Sequence, residues 1–452
     1  MARNITRPSK IARKKHAGWT LVNSRLLWRR YIQNHERETM EIYLIPTLLL
    51  LVVLSSYSND DVFDSKLAWN EMVSTLQSDY AYLDKVEHDF KNLTDLFHVK
   101  ALATKSPKEF VDESQLFLRN FQDPHLNISP LDLDDYIVYP TGSDIYAEIK
   151  GEEIYIIDVK ANSSAYEQGI RSGMFVKSID GLAFQTTIEA VTGLTADNLS
   201  KEQQAYAINI ALGGKRYQSR TLTVSTDNGL KTYNLDPSYD RINKYKNGPK
   251  VTHREINGIG YIRFNNALGD NDSVTEFRSA IKTLEQTKGL IIDLRNTPSG
   301  GNTGVAEPIL GHFTKTERPY QLYKTQQSGQ HYSDASFQKA TAFPQTPFID
   351  KPFVVLAGRW TGSMGEGMTI GLDALGAKAI LGAPMADLLG GIKQIQLIES
   401  NATLSLGFER MYHIDGRFRE DFKPTIFINS ADTDEKGNDI TLLKALEVLI
   451  DN

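Results

Sequence analysis

The chain has no cysteine. That excludes a thiol nucleophile, a disulfide framework and any cysteine-ligated zinc or iron–sulfur site, and it leaves redox chemistry silent about compartment. There is no Walker loop, no HExxH pair, no internal repeat and no low-complexity tract. Excess positive charge is missing from most of the chain. Residues 1–39 hold ten Lys/Arg against two Glu, so the remaining 413 of the 452 residues carry −14 of a net −6. An acidic body argues against phosphate-backbone binding, and hence against a nucleic-acid partner. Long apolar runs are missing too. The strongest, Ile42 to Leu54, spans 13 residues, short of the roughly 20 a membrane-crossing helix needs. It fits the apolar core of a secretory signal, with the small Ser56-Tyr57-Ser58 behind it as a cleavage site. About forty residues precede it, so Met40 is a candidate start, and the basic stretch from Arg3 to Lys15 is either spurious translation or the cytoplasmic tail of an anchor; residues 1–58 read as a basic leader plus signal or anchor segment, with a buried core helix as the plain alternative. Export to the periplasm or cell envelope is the expectation, with residues 42–54 as the route to any membrane association.

What is present is ordinary globular material, 40% hydrophobic and 23% charged, long enough for about three domains. Residues 59–135 read as a helical cap: LAWNEMVSTLQSDYAYL and FVDESQLFLRNF carry apolar residues at helical spacing, closed by Asp123-Pro124-His125. Residues 140–240 read as a β-rich module, with the runs IYAEI, EEIYIIDV, FVKSIDG, RTLTVST and KTYNL and a helix near Ala205. Over 250–452 strands and helices alternate. GIGYIRF is a strand, Asp272 is expected to cap the next helix, and GLIIDLR and FVVLAG are continuous apolar strands followed by helices near Thr303 and Ser363. That rhythm implies a buried sheet with crossover helices. Thr314 to Asp350 is polar without a period and reads as a long functional or mobile loop.

Two strand-to-loop junctions can carry chemistry, because open α/β folds place ligands at strand C-terminal ends. In Arg295-Asn296-Thr297-Pro298-Ser299-Gly300-Gly301, paired glycines let backbone N–H groups face outward as an oxyanion hole requires; the plain alternative is a tight turn. In Arg359-Trp360-Thr361-Gly362-Ser363-Met364-Gly365-Glu366, Ser363 stands at a helix start, either a presented hydroxyl or an ordinary N-cap. The stretch nearly matches the nucleophile elbow G-x-S-x-G, but Thr361 occupies the first glycine position, so the pattern fails.

Together these phrases resemble the tail-specific, or C-terminal processing, serine protease family. LIIDLRNTPSGG is similar to that family's strand and glycine loop, one residue longer at Ser299. Thr361 to Glu366 resembles its nucleophile motif and singles out Ser363. Asp123-Pro124-His125 looks like its Asp-x-His phrase, and IYIIDVKANSSAYEQGIRSGMFVKSIDG is similar to a PDZ module. The resemblance covers nearly everything from residue 60 onward. It implies a helical cap, a PDZ-like β-rich module and an α/β catalytic domain of the ClpP/crotonase-like kind, an α+β and α/β multidomain chain. It further implies a serine endopeptidase that recognises proteins by their C-terminal tails, with Gly300 or Gly301 and Met364 supplying oxyanion N–H groups and no metal or cofactor.

One departure stands out. The family lysine base lies about twenty-five residues after the serine in a Gly-Lys-Gly phrase, but this chain has Pro384-Met385-Ala386-Asp387-Leu388-Leu389-Gly390-Gly391 there. Another branch has a histidine where this chain has Arg263, and arginine cannot act as a base. Glu420 falls in that branch's phrase for an orienting glutamate. The bases left to weigh are His413, His125, Lys393 and Asp373. Each has a plain alternative: a hairpin residue, a cap-closing hydrogen bond, a solvated strand lysine and a helix-surface acceptor. Glu366, one turn from Ser363, reads as a support for the helix start. His413 is the expected base, because an imidazole titrates near working pH and His413 belongs to the catalytic domain. The rival reading is a peptide-binding protein on the same scaffold without proteolysis, motivated by the missing lysine; a hydrolase of smaller esters or amides is a second.

Overall fold

The computed structural model describes residues 63–226, 229–245 and 247–450. The apolar run at 42–54 and the basic stretch before it lie outside them. Asp64 opens helix α1 (Ser65–Asp79) by accepting the N–H groups of Lys66 and Leu67. Helix α2 (Glu87–Ala103) follows, and Ser106 caps α3 (Pro107–Arg119), whose proline sits in the first turn where its missing N–H costs nothing. The apolar spacing expected over this region is realised in a core containing Trp69, Met72, Leu76, Phe97, Phe110 and Phe117. A short strand, β1 (Asn127–Ser129), leads out.

The next segment is a five-stranded antiparallel sheet: β2 (Ile145–Lys150), β3 (Glu153–Val159), helix α4 (Ser164–Gln168), β4 (Phe175–Ile179), helices α5 (Phe184–Thr192) and α6 (Lys201–Gly213), then β5 (Arg220–Thr226) and β6 (Gly229–Leu235), paired in that strand order. Asn209 on α6 stitches helix to sheet, accepting the Ala147 N–H at 2.8 Å and donating to the Ala147 carbonyl at 2.9 Å.

After α7 (Ser238–Tyr245) come β7 (Val251–Ile256), β8 (Ile259–Phe264), α8 (Asp272–Thr283), β9 (Leu290–Asp293), α9 (Thr303–Leu310), β10 (Arg318–Thr325), β11 (Gln338–Ala342), β12 (Phe353–Ala357), α10 (Met364–Ala374), β13 (Ile380–Gly382), β14 (Gly391–Leu397), β15 (Ala402–Tyr412), β16 (Ile426–Phe427) and α11 (Ile440–Ile450). Strands order as β16-β13-β12-β9-β8-β7, parallel except for β7. Both faces are covered. Ile292, Val355 and Ile380 pack with Phe277, Ile309 and Met368 on one side, whereas Ile291, Val354 and Leu381 meet Leu446 and Leu449 of α11 on the other. Alternate residues thus enter different cores, which is why these strands read as unbroken apolar runs.

Two sequence expectations change. Asn271, not Asp272, is the N-cap of α8, and Asp272 is its first helical residue. The stretch 314–350 is not one long loop: β10 and β11 pair antiparallel, and β10 also pairs with β15, joining β1 and β14 in a further five-stranded sheet. Most residues of β10 are only half-buried, so no clean alternation marks it. Leu397, Leu404 and Leu406 of this sheet share the core of the three N-terminal helices.

Candidate functional site

The site forms where adjacent parallel strands β9 and β12 release their chains. The two loops are zipped together: Thr297 N–H donates to the Trp360 carbonyl at 3.1 Å, Gly362 N–H to Thr297 at 3.3 Å, and Thr361 Oγ1 to Leu294 at 3.0 Å. Beneath them Arg295 grips Asp293 through two hydrogen bonds of 3.0 and 2.8 Å and also binds Asp439. Both groups are buried. Arg295 and Arg263 hold the Asp293 carboxyl below the usual range against the cost of burial.

Ser363 sits at the N-terminus of α10 with φ 50° and ψ −112°. That backbone is uncommon for a residue with a Cβ and costs of order 1–3 kcal/mol. This is the strained strand-to-helix turn that a nucleophile-elbow pattern encodes, although Thr361 breaks the pattern. Thr361 is tolerated because its hydroxyl serves the turn itself, accepting the Gly358 N–H at 3.0 Å.

Gly300, at φ +64°, faces the serine so closely that a Cβ there would stand 2.4 Å from Ser363 Cβ and 2.9 Å from Oγ. Its N–H is spent on the Thr297 carbonyl at 3.0 Å. Among the described residues no acceptor is assigned to the N–H of Gly301 or of Met364, so these two are the donors open to an oxyanion. The extra residue Ser299 is held by Asn266, which accepts the Ser299 N–H and donates to its Oγ, both at 2.9 Å.

Glu366 is buried under this turn. Its Oε2 accepts the N–H groups of Ser363 at 2.6 Å and Leu388 at 3.2 Å, and its Oε1 accepts that of Asp387 at 3.0 Å. Burial pushes its carboxyl up to about 8, opposed by Arg419. The same segment is gripped from elsewhere: His125 Nδ1 lies 3.0 Å from the Leu389 carbonyl, Asp123 accepts the Leu389 N–H at 3.4 Å, and Arg419 donates to the Leu388 carbonyl. Burial drives His125 down to about 4 and Asp123 up to about 7.

The structure does not bring the expected base to the serine. His413 Nε2 lies 3.1 Å from Asp373 and Nδ1 3.0 Å from Asp415. Asp373 is ten residues beyond Ser363 on α10, which at 1.5 Å per residue separates them by ~15 Å. Lys393 is paired with Asp79 of α1, and His125 is turned to Leu389. Glu420 is buried with Lys85 at 3.2 Å and Arg410 at 3.5 Å. Among the described residues no side chain is hydrogen-bonded to Ser363 Oγ.

Sequence reasoning passed over Arg419 and Asp387. Asp387 was visible in one respect, standing 24 residues after the serine, where the absent lysine is sought.

A cavity of about 650 Å³ opens beside the glycine loop, lined by Thr141, Lys160, Arg263, Asn266, Ser299 and Gly300 among others. Burial lowers Lys160 to about 8, partly offset by Asp432. Among the described residues, no group of three or more His, Asp or Glu is arranged to hold a metal ion.

Residues 258–428 match the sequence model of peptidase family S41. That match lies wholly within the region of alternating strands and helices that carries Ser363. The chain is a serine-type peptidase, a hydrolase. No curated protein matches this chain significantly. Among solved structures, the photosystem II D1 C-terminal processing protease is similar at 16% identity and TM-score 0.54, over 81% of this chain and 94% of that one. Mature CPAF is similar at 14% and 0.59, over 86% and 98%. A peptidase of Parabacteroides merdae ATCC 43184 is similar at 12% and 0.54, over 86% and 97%. At such identities the likeness is one of fold. No helix among the described residues of the peptidase is long and apolar enough to cross a membrane.

Proposed function

We propose that this peptidase cleaves protein substrates with Ser363 as nucleophile, and that Gly301 and Met364 N–H groups hold the oxyanion. The carrying observation is the strained Ser363 turn, set at a helix N-terminus with an unspent Met364 N–H beside it and the glycine loop packed against its Cβ. A hydroxyl fixed there meets a carbonyl carbon while the two N–H groups face its oxygen, and the bond forms between Oγ and that carbon.

The antiparallel module over 140–240 is read as PDZ-like, adding a substrate's C-terminal tail as a strand and holding its carboxylate; its strand pattern and position beside the 250–452 catalytic domain support this. Residues 42–54 are read as an export segment, to be checked by the intact mass of protein from its native host. The rival, a peptide-binding protein without proteolysis, draws on the lack of a hydrogen-bonded base at Ser363.

A fluorophosphonate label decides between them. Covalent labelling that Ser363→Ala abolishes, with melting shifted by no more than about 1 kcal/mol, supports the peptidase. Unlabelled, fully folded protein overturns it. Equal cleavage of peptides with free and amidated C-termini would remove the tail-recognition part alone.

A further inference from the structure

The cavity beside the glycine loop is walled by the 140–240 module on one side and by the catalytic domain on the other. Thr141 Oγ1 donates to the Pro298 carbonyl at 3.3 Å, and Ser299 Oγ donates to Thr141 Oγ1 at 3.4 Å. The end of β3 is stitched to the chain between β16 and α11. Ser430 Oγ donates to the Ile157 carbonyl at 2.8 Å, Thr433 Oγ1 to that of Val159 at 3.0 Å, and the Ala161 N–H to Asp432 at 2.9 Å. Lys160 stands inside this seam, so both of its chain neighbours are fixed, and its side chain lines the cavity. Arg263, the last residue but one of β8, lines it too.

Among the described residues neither cation has a carboxylate within hydrogen-bond reach. Lys160 Nζ makes no hydrogen bond there. Arg263 Nη1 lies 4.0 Å from Asp293 Oδ2, and that carboxylate is already spent on Arg295 and on the Tyr261 hydroxyl at 2.5 Å. The acids that line the cavity are occupied as well: Asp144 is paired with buried Arg220, and Asp270 with Lys250 at 3.2 Å. Asp432 steadies both cations electrostatically, but it does not line the cavity and it holds the Ala161 N–H.

We propose that this cavity is a specificity subsite in which Lys160 and Arg263 take a carboxylate of the substrate close to the bond that Ser363 attacks. The inference deepens the peptidase reading and rests on it. Adjacency ties the cavity to the reaction, since its wall includes Gly300, which packs against Ser363 Cβ, and Gly301, whose N–H faces the oxyanion. At about 650 Å³ it has room for an acidic side chain or a chain terminus. Burial lowers Lys160 to about 8; Asp432 opposes this, and Arg263, a second positive charge, adds to it. Burial has thus already stripped much of the water from the two cations, and their positions are set before substrate arrives. Charge-assisted hydrogen bonds from both to one carboxylate are strong in such surroundings, and little ordering is left to offset them.

The test sets side chain against terminus on the full chain. Cut sites in denatured casein, read by mass spectrometry, fix a cleaved sequence. Synthetic peptides of that sequence then carry Glu or Gln at each position flanking the cut bond, with free or amidated C-termini. kcat/KM is expected to favour Glu over Gln at one position, or the free over the amidated terminus, by roughly tenfold to a hundredfold. Lys160→Met and Arg263→Gln should each bring that ratio close to one. Both peptides of a pair meet the same protein, so a general loss of activity or of folded material leaves the ratio unmoved. Equal rates for every pair overturn the proposal, and so does a preference that either variant keeps. A terminal preference kept by both variants belongs to the strand edge of the 140–240 module instead. If folded wild-type protein neither cuts nor takes the fluorophosphonate label, the peptidase reading itself fails and the subsite falls with it.

Discussion

Glu366 Oε2 accepts the backbone N–H of Ser363 at 2.6 Å, tying the serine turn to a buried carboxylate one helical turn further on. The same side chain holds Asp387 and Leu388. One acidic residue thus fixes both a strained serine and the loop packed against it.

Glu366→Gln replaces an acceptor of three N–H groups by a side chain with one acceptor oxygen and an NH₂ that must face a donor. At least one buried N–H loses its partner, at a cost of about 2 kcal/mol. We expect lower thermal stability together with at least tenfold slower labelling of Ser363, measured by calorimetry and by quantitative gel fluorescence. Unchanged labelling with lowered stability would mean that the turn keeps its shape without this anchor.

Gly300→Ala places a Cβ 2.4 Å from Ser363 Cβ in a backbone of positive φ. Either the glycine loop or the serine must retreat, and misplacement by about 1 Å costs roughly a hundredfold in rate. Peptide turnover should fall by about that factor; kcat carries the loss if the substrate cleft is intact, and KM moves with it if the loop collapses.

His413→Ala should leave turnover within about threefold of wild type, because its ring is bound to Asp373 at the far end of α10, ~15 Å from Ser363. Stability should nevertheless drop by about 1 kcal/mol through loss of the bridge between Asp373 and Asp415. A hundredfold loss of kcat with normal folding would restore His413 as base and contradict the distance argument.

His125 supplies an acid-sensitive element. Burial holds its folded-state value down to about 4, whereas an unfolded histidine titrates near 6.5. Between those limits the unfolded chain binds a proton that the folded one refuses. This contribution is therefore complete above about pH 6.5, is lost as pH falls, and levels off below about 4, for a total of about 3 kcal/mol. Urea melts of wild type and His125→Asn should show a stability gap that narrows on acidification. Asp123, raised by burial, works in the opposite sense, but it is present in both proteins and cancels in the difference to first order. A gap constant from pH 7 to 4 would show that His125 is not held neutral.

Much of the scaffold was legible in order. The apolar runs at 290–293 and 353–357 announced a sheet buried on both faces, since alternate residues such as Ile291 and Ile292 go to different cores. The loops after them, and Ser363 itself, could be picked out because glycine pairs and a serine at a helix start are local signals. Three things were not local. Strand β10 pairs with β15, about ninety residues later, and half-buried faces leave no period to read. His413 looked eligible by residue type alone, but the length of α10 sets its distance. Asp387 looked unremarkable until folding brought its N–H to the second oxygen of Glu366. The sequence by itself determined the strands, the turns and the nucleophile candidate, because these follow from neighbouring residues. Tertiary structure alone decided which titratable groups stand beside Ser363, because proximity across a hundred residues depends on how loops and helices pack.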